Sequence, residues 1–169
     1  GKSTSLKYSE RMIYIKKSLE HMAWSSKEIF TEISKLPTDI YALRTAQGEW
    51  PVGKILNHFV NAAEWFRYCL TGIKWSDLPR IDNPETLLKM KSYLAELDQT
   101  LINQSELEDE ILSFNDENGP AKASRTMILS QTVMHTAEHK GQLSTILKMH
   151  GYELDLDKYD VWSFESSNK

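Results

Sequence analysis

Apolar side chains recur along this chain with the period of an α-helix in four separate segments. In the first segment they fall at Met12, Ile15, Leu19, Met22 and Ile29, and no glycine or proline interrupts the run. Spacing of about 3.6 residues per turn places such side chains on one face, which a helix buries against its neighbours. The pattern predicts four amphipathic helices, at residues 8–36, 52–71, 84–104 and 125–150.

Prolines and glycines mark the ends of the predicted helices. Pro51 and Pro84 stand near first turns, where a missing backbone N–H costs no hydrogen bond. Gly72 and Gly151 follow the second and fourth segments and are typical helix terminators. The crossover between the second and third helices, residues 72–83, is long enough to carry the chain to the opposite end of a bundle.

The segment before the fourth helix and the C-terminal tail lack this periodicity. The turn residues Asn118-Gly119-Pro120 lie between short β-prone stretches, which is compatible with a small hairpin. We expect the aromatic residues of the tail to order it as far as Trp162, with fraying beyond. Four helices with little strand predict an all-α, four-helix-bundle fold with long crossover connections, formed as a single domain over residues 1–169.

Three histidines fall on helix faces that should point inward. His135 and His139 are four residues apart and therefore stack one turn above the other, and His58 lies on a facing helix. Leaving the donor or acceptor of a buried imidazole unpaired costs about 1–3 kcal/mol per group. A divalent metal ion shared by the three rings removes that cost, and three histidines with an open position form a catalytic zinc arrangement. For each residue taken singly, a hydrogen-bonded core histidine is the ordinary alternative.

Composition and charge exclude several classes of protein. A net charge of −4 and a pI near 5.8 argue against a nucleic-acid-binding protein, which usually carries a basic face. No apolar run approaches the roughly 18 residues of a membrane span. Cys69 is the single cysteine, so an intramolecular disulfide is excluded and a reducing compartment is indicated. We therefore expect a cytoplasmic protein that binds neither nucleic acid nor membrane, with a homodimer as an expected assembly.

Several short motifs resemble those of the DinB-like superfamily of small bacterial metal-binding proteins. They extend over almost the whole chain and comprise Trp50, Ile55-Leu56-Asn57-His58, Glu64-Trp65, His135-x₃-His139-x-Gly141-Gln142, Gly151 and Tyr159-Asp160-Val161-Trp162. The resemblance implies a four-helix bundle in which His58, His135 and His139 ligate one divalent metal ion, with zinc or nickel expected. One departure is Pro51, at a position where members often carry a serine or threonine cap, and it bears on helix initiation rather than on chemistry.

The resemblance also implies an activity. Characterised relatives include S-transferases that use a low-molecular-weight thiol, such as bacillithiol, mycothiol or glutathione, against electrophiles. The chain is therefore expected to be a metal-dependent enzyme that transfers such a thiol to an electrophile, with the catalytic base unassigned. A metal-dependent hydrolase and a non-catalytic, stress-associated metal-binding protein remain alternatives, since many DinB-like members have no established activity.

The residues His135-Thr136-Ala137-Glu138-His139 also match the H-x-x-E-H string of inverted zincin proteases. We set this interpretation aside because such a site needs a further ligand well downstream and a larger α/β scaffold, whereas only 30 residues follow His139. Glu138 is then either a base beside the metal or a solvated side chain. Gln142 either bonds a metal-bound water or packs between helices.

The remaining candidates are weaker. Cys69 lies about 16 Å along the helix from His58 at about 1.5 Å per residue, so we expect a buried, unreactive thiol rather than a ligand. His21 and His150 are expected to be solvated. The tryptophans either wall a pocket or anchor the core and loops.

Overall fold

The structure is a computed structural model, and it describes residues 12–168. Its elements are helix α1 (Lys16–Ser34), a 3₁₀ turn (Thr38–Ala42), helix α2 (Val52–Thr71), helix α3 (Pro84–Gln104), strands β1 (Ile111–Asp116) and β2 (Gly119–Ser124), helix α4 (Arg125–Met149), a second 3₁₀ turn (Leu156–Tyr159) and short helix α5 (Val161–Ser167). The expectation of a mainly helical fold is confirmed, and a two-stranded sheet is added to it. None of the helices within residues 12–168 is both long and apolar enough to cross a lipid bilayer.

The later helices begin where the sequence predicts. The bounds of α2 and α3 agree with the prediction, and α4 ends one residue earlier than expected. Asn83 caps α3, because its side-chain oxygen accepts the N–H of Thr86. Ser124 caps α4 in the same way by accepting the N–H of Met127. Pro51 precedes α2 as its N-cap residue.

The predicted start of the first helix is wrong. Helix α1 begins at Lys16, residues 12–14 are not helical, and the predicted residues 8–11 lie outside the described part of the chain. Met12 and Ile13 are exposed, so the apolar pattern there does not mark a buried face. Lys16 pairs with Glu106, just past the end of α3. A longer α1 would therefore extend beyond the helix that covers it.

A layer of polar side chains divides the core into two apolar clusters. Helices α1 and α2 each pack on both α3 and α4. One cluster contains Phe30 and Leu143, and the other contains Leu19 and Phe66. Between the clusters along α1, α3 and α4 lies what we call the polar layer, which comprises Ser25, Ser26, Asp98, Thr132, His135, His139 and Lys140.

The crossover between α2 and α3 is held against α2 through contacts to the backbone of the crossover. The side chain of Asn57 accepts the N–H of Ile81 and donates to the carbonyl of Pro79. Gly53 lies so close to the crossover that an added Cβ would be 2.4 Å from the carbonyl oxygen of Ile81. Glycine is therefore required at this point of α2.

A buried carboxylate holds the start of the same crossover. Glu64 has no exposed surface, and its Oε2 accepts hydrogen bonds from the N–H and hydroxyl of Ser76. The hydroxyl of Tyr93 on α3 donates to the same oxygen at 2.7 Å. The conspicuous Glu64 of the sequence motif is thus an anchor between α2, the crossover and α3.

The hairpin suggested by the sequence is present. Strands β1 and β2 are antiparallel, and Asp116 pairs with Gly119 at the turn. Gly119 has a φ of 104°, a conformation that favours glycine. Arg125 joins the hairpin to α3, since its guanidinium donates to the side chain of Gln104 and to the carbonyl of Glu108.

The expectation that order ends at Trp162 is wrong. Helix α5 continues to Ser167, and Asp160 caps it by accepting the N–H of Ser163. Trp162 itself is 81% exposed, whereas the ring of Phe164 lies 5.5 Å from that of Trp24. The aromatic residue that fastens the tail is therefore Phe164, two positions later than expected.

The close approach of α2 to its crossover can be tested with Gly53→Ala. We expect a fall of about 1–3 kcal/mol in the free energy of unfolding, because the added methyl group overpacks against the Ile81 backbone. Gly141→Ala is the matched control, since a Cβ there meets nothing within 4 Å. It should raise stability by up to about 1 kcal/mol through better helix propensity. Urea unfolding followed by circular dichroism measures both, and equal stabilities of the two variants would contradict the close contact.

Candidate metal centre

The packing of α2 against α4 brings the three predicted ligands together. His58 Nε2 lies 3.0 Å from His135 Nε2, which in turn lies 3.0 Å from His139 Nε2. One ring nitrogen from each residue falls within 4.8 Å of the others, and all three rings are half-buried. The predicted adjacency of His58 to the i, i+4 pair is thus observed.

A hydrogen bond from outside the group sets the tautomer of His139. The Nδ1–H of His139 donates to the Oε1 atom of Gln142 at 2.7 Å. A neutral imidazole with its proton on Nδ1 presents a lone pair at Nε2, the atom that faces His135. Partners of this kind orient ligating histidines and raise their basicity. Gln142 therefore contacts the His139 ring itself, a role that differs from both of those expected for it.

The donor set fits a divalent ion. Nitrogens bound at about 2.0–2.1 Å lie about 3.3 Å apart at the tetrahedral angle, so small ring rotations convert the observed 3.0 Å contacts into a ligand set. Because Nε2 of His139 presents a lone pair, hydrogen bonds among the three rings do not satisfy every converging nitrogen. Within residues 12–168, no carboxylate, thiolate or fourth imidazole joins the group.

The environments of His58 and His135 keep these two rings neutral. Burial, followed by repulsion from His139 and His135, lowers the pKa of His58 to about 4. The pKa of His135 is also lowered, first by burial and then by His139. Neutral imidazoles carry the lone pairs that metal ligation requires, so no proton has to be displaced from these two rings at neutral pH.

Aromatic side chains fix the orientation of the rings. Trp50, just before α2, meets His58 edge-on at a centroid distance of 5.0 Å and stacks on His139 at 6.4 Å with an interplanar angle of 10°. Phe66 meets His135 edge-on at 5.9 Å. The ammonium group of Lys54 lies over the Trp50 ring, 4.7 Å from its centroid. The tryptophans are expected from the sequence either to line a pocket or to anchor the core and loops. Trp50 does the first, since its ring lines the site beside His58 and His139.

A cavity of about 570 Å³ opens beside His139, one of the three histidines. It is bounded by His139, Trp50, Gln142, Glu49 and Ile146, among others. The cavity has the size of a small-molecule binding site. A small molecule bound there would contact the His139 ring at one edge of the group.

On the opposite side, the group faces a much smaller internal cavity that contains an acidic residue. Asp98 of α3 lines this cavity together with His135 and His139, and it is only 3% exposed. Burial raises the pKa of its carboxyl to about 7, against the lowering effect of the Lys140 charge. Asp98 is not among the residues predicted from the sequence, although its spacing from Leu94 and Leu101 places it on the apolar stripe of α3.

The structure also places the weaker candidates. Cys69 is buried, and burial raises the pKa of its thiol to about 11, in agreement with an unreactive thiol. Glu138 and His150 are exposed, as expected. The expectation for His21 is wrong, because its ring is half-buried and its Nε2 lies 2.7 Å from the carbonyl oxygen of Tyr159. The third partner of the H-x-x-E-H string is the upstream His58, so the protease arrangement is not formed.

Known proteins resemble this chain in sequence pattern and in fold. Residues 5–162 match the family model described as DinB family. The crystal structure of a DinB-like protein from Bacillus cereus ATCC 10987 is similar, with a TM-score of 0.62 and 17% sequence identity over 80% of this chain and 90% of that one. At this identity the likeness shows a shared fold. No match is found among the curated proteins.

The metal-free protein should lose stability as the pH falls from about 6.5 to about 4. The pKa of His58 is about 4 in the folded protein, whereas an unfolded histidine titrates near 6.5. Between these values the unfolded chain binds a proton that the folded chain excludes, so the free energy of unfolding decreases with falling pH. Above about pH 6.5 this group has no effect on the slope.

His58→Gln removes the titrating ring and should flatten this part of the stability curve. Thermal unfolding of both proteins across this pH range, in the presence of a chelator, makes the comparison. Parallel curves for the two proteins would show that His58 is not the group responsible.

Proposed function

The chain belongs to the DinB family, and on that premise we propose that it is a metal-dependent enzyme that transfers a low-molecular-weight thiol to an electrophile. His58, His135 and His139 are the proposed ligands of one divalent ion, with zinc or nickel expected. The observation that carries the proposal is the convergence of three Nε2 atoms, together with a cavity of about 570 Å³ that His139 lines.

The residues around the site have separate proposed roles, in binding the metal ion and in orienting its ligands. When bound, a divalent ion supplies a Lewis acid that favours the thiolate form of a thiol at neutral pH. The three imidazoles are neutral ligands, so they leave the full positive charge available for that purpose. Gln142 holds the His139 ring in the tautomer that presents Nε2. Trp50 packs against the rings of His58 and His139 and orients them.

The charge of the cavity narrows the class of thiol. Among the described residues that line it, Glu49 is the one carboxylate, and neither lysine nor arginine is present. Repulsion from Glu49 would disfavour a co-substrate with several carboxylates, against the attraction of the proposed divalent ion. Among thiols bound to the same ion, Glu49 therefore favours one with less negative charge. The apolar surfaces of Ile55 and Ile146 suit an apolar electrophile.

Two alternatives make different demands on the same site. A non-catalytic, stress-associated protein that uses the ion to support its fold would be favoured by a closed shell of four protein ligands. Within residues 12–168 no carboxylate or thiolate joins the three histidines, which favours an open, reactive site. A metal-dependent hydrolase would use the same ligands and cavity, and differs in substrate.

Three further predictions concern the fold, the cellular location and the assembly of the protein. We propose that α1–α4 form a four-helix bundle, which is supported by the packing of α1 and α2 on both α3 and α4. A cytoplasmic location and a homodimeric assembly remain predictions of the sequence.

Metal content tests the ligand assignment directly. Protein purified without a nickel column should contain about one equivalent of a divalent metal by elemental analysis. The double variant His135→Ala, His139→Ala should lose it, because one imidazole does not hold an ion against water. His150→Ala is the matched control, an exposed histidine near the carbonyl of Arg44 that should leave the metal in place. A full equivalent retained by the double variant would disprove the ligand set.

Thiol conjugation tests the activity. Metal-loaded protein should accelerate conjugation of a neutral thiol to a soft electrophile, either a chlorobimane with loss of chloride or an epoxide with ring opening, measured by absorbance or fluorescence. His58→Ala should lose the acceleration while its circular dichroism remains helical, because one lost ligand alters the ion more than the fold. Glu49→Gln should raise the rate with glutathione, which is anionic, relative to that with a neutral thiol.

The alternatives predict other outcomes. Fully metallated protein that gives only the uncatalysed rate across a panel of thiols and electrophiles would favour the non-catalytic interpretation. Metal-dependent cleavage of ester or amide substrates in the same preparation would favour the hydrolase.

A further inference from the structure

Asp98 is buried with no ionic partner. Among residues 12–168, no cation forms an ion pair with its carboxyl, and no hydrogen bond to it is present. Lys140 acts on Asp98 only through its charge, because its Nζ donates to the hydroxyl of Ser25 and to the carbonyl of Met22. A carboxyl buried without such partners destabilises a fold. The packing of α3 therefore does not explain why Asp98 occupies this position, which indicates a function for its carboxyl.

The cavity that Asp98 lines contains other polar groups. It offers about 10 Å³ to the centre of a water molecule, which is room for about one water. Ser26 of α1 also lines it, and the Ser26 hydroxyl is 1% exposed with no hydrogen-bond partner. The hydroxyls of Thr132 and Thr136 already donate to backbone carbonyls of α4. The unsatisfied groups in this space are therefore those of Asp98 and Ser26.

The ring of His135 needs a partner on the same side. Its Nε2 faces His58 and His139, so the proton of its neutral ring belongs on Nδ1 once Nε2 ligates a metal. Within the described chain, Nδ1 of His135 has no hydrogen-bond partner, whereas Nδ1 of His139 has Gln142. Ligating histidines almost always donate this second N–H to a carboxylate, a carbonyl or a water.

We propose that Asp98 is a positioning residue for the ligand His135. The Nδ1–H of His135 donates to one water in the internal cavity, and that water donates to the Asp98 carboxylate and accepts from the Ser26 hydroxyl. A water with three such partners would give His135 Nδ1, the Ser26 hydroxyl and one oxygen of Asp98 a hydrogen bond each. The inference rests on the proposed metal binding, and it assigns the carboxylate that would fix the orientation and basicity of His135.

Asp98→Asn tests the proposal with little change of shape. Competition with a chelator should show zinc affinity about 10–100-fold lower than that of the unaltered protein, as expected when an outer partner is lost. The visible absorption spectrum of the cobalt-substituted protein should shift, because the His135 ring changes its orientation at the ion. The metal-free variant should unfold at the same temperature as the unaltered protein or a higher one, because a buried unpaired carboxyl has been removed.

Glu64→Gln is the matched control. Glu64 is equally buried, but it accepts hydrogen bonds from Ser76 and Tyr93 and does not line the internal cavity. This variant should be less stable while its zinc affinity and cobalt spectrum stay unchanged. Ser26→Ala should lower zinc affinity by a smaller factor than Asp98→Asn, and it carries the test if Asp98→Asn does not fold.

The outcomes separate this inference from the proposed metal binding. If the unaltered protein binds no divalent metal, both are overturned. If it binds one equivalent, and Asp98→Asn or Ser26→Ala binds with unchanged affinity and cobalt spectrum, only the positioning role is overturned. A zinc affinity that falls equally in Glu64→Gln would show a general loss of stability, and would likewise overturn the role.

Discussion

Three imidazole rings that converge in an apolar interior have more hydrogen-bonding capacity than their neighbours satisfy. His58, His135 and His139 meet because α2 packs on α4 at this level, and two pairs of Nε2 atoms come within 3.0 Å. Each ring is then held by its surroundings, with Trp50 against His58 and Gln142 bonded to His139. The rings are thus fixed in position, and their lone pairs are left for a cation. Much of the site is explained by this single constraint.

The same constraint has a cost that the two apolar clusters offset. Every helix of the polar layer interrupts its apolar stripe at the same height, with Ser25 and Ser26 on α1 and Asp98 on α3. Lys140 is also buried, and burial lowers its pKa to about 8. Polar groups buried in this way weaken a fold unless they are satisfied. Their concentration beside the candidate ligands is typical of a functional site, where a chain departs from the pattern that stability alone favours.

The sequence predicts most of the fold because helix ends and helix periods are local signals. Proline, glycine and capping residues gave the bounds of α2 and α3 without reference to the rest of the chain. The start of α1 depends instead on where α3 ends, which only the packed structure determines. The role of Phe164 likewise depends on its contact with Trp24, a residue about 140 positions away in sequence. Tertiary contacts of this kind leave no periodic signal.

The residues of the candidate site differ in the same way: some are predicted by local spacing, and others depend on tertiary contacts. The histidines could be predicted because a four-residue spacing and a third inward ring are visible in the sequence. Gln142 lies three residues after His139, so its spacing predicts a place near the site. Its contact with His139 Nδ1 is not predicted, because it depends on side-chain orientation. Asp98 carried a signal, an acidic residue on an apolar stripe. That signal has no meaning until the structure shows which residues face it across the interior.

The polar layer would also link the proposed metal binding to the stability of the fold. The proposed ligands come from α2 and α4 alone, yet Ser26 of α1 and Asp98 of α3 border the same internal cavity. All four long helices therefore meet at one level, on the inner side of the ligand set. A ligand that binds only the folded protein stabilises it by about 2.7 kcal/mol at a hundredfold excess over its dissociation constant. In this arrangement such an ion would hold together the layer where the apolar packing of the core is interrupted.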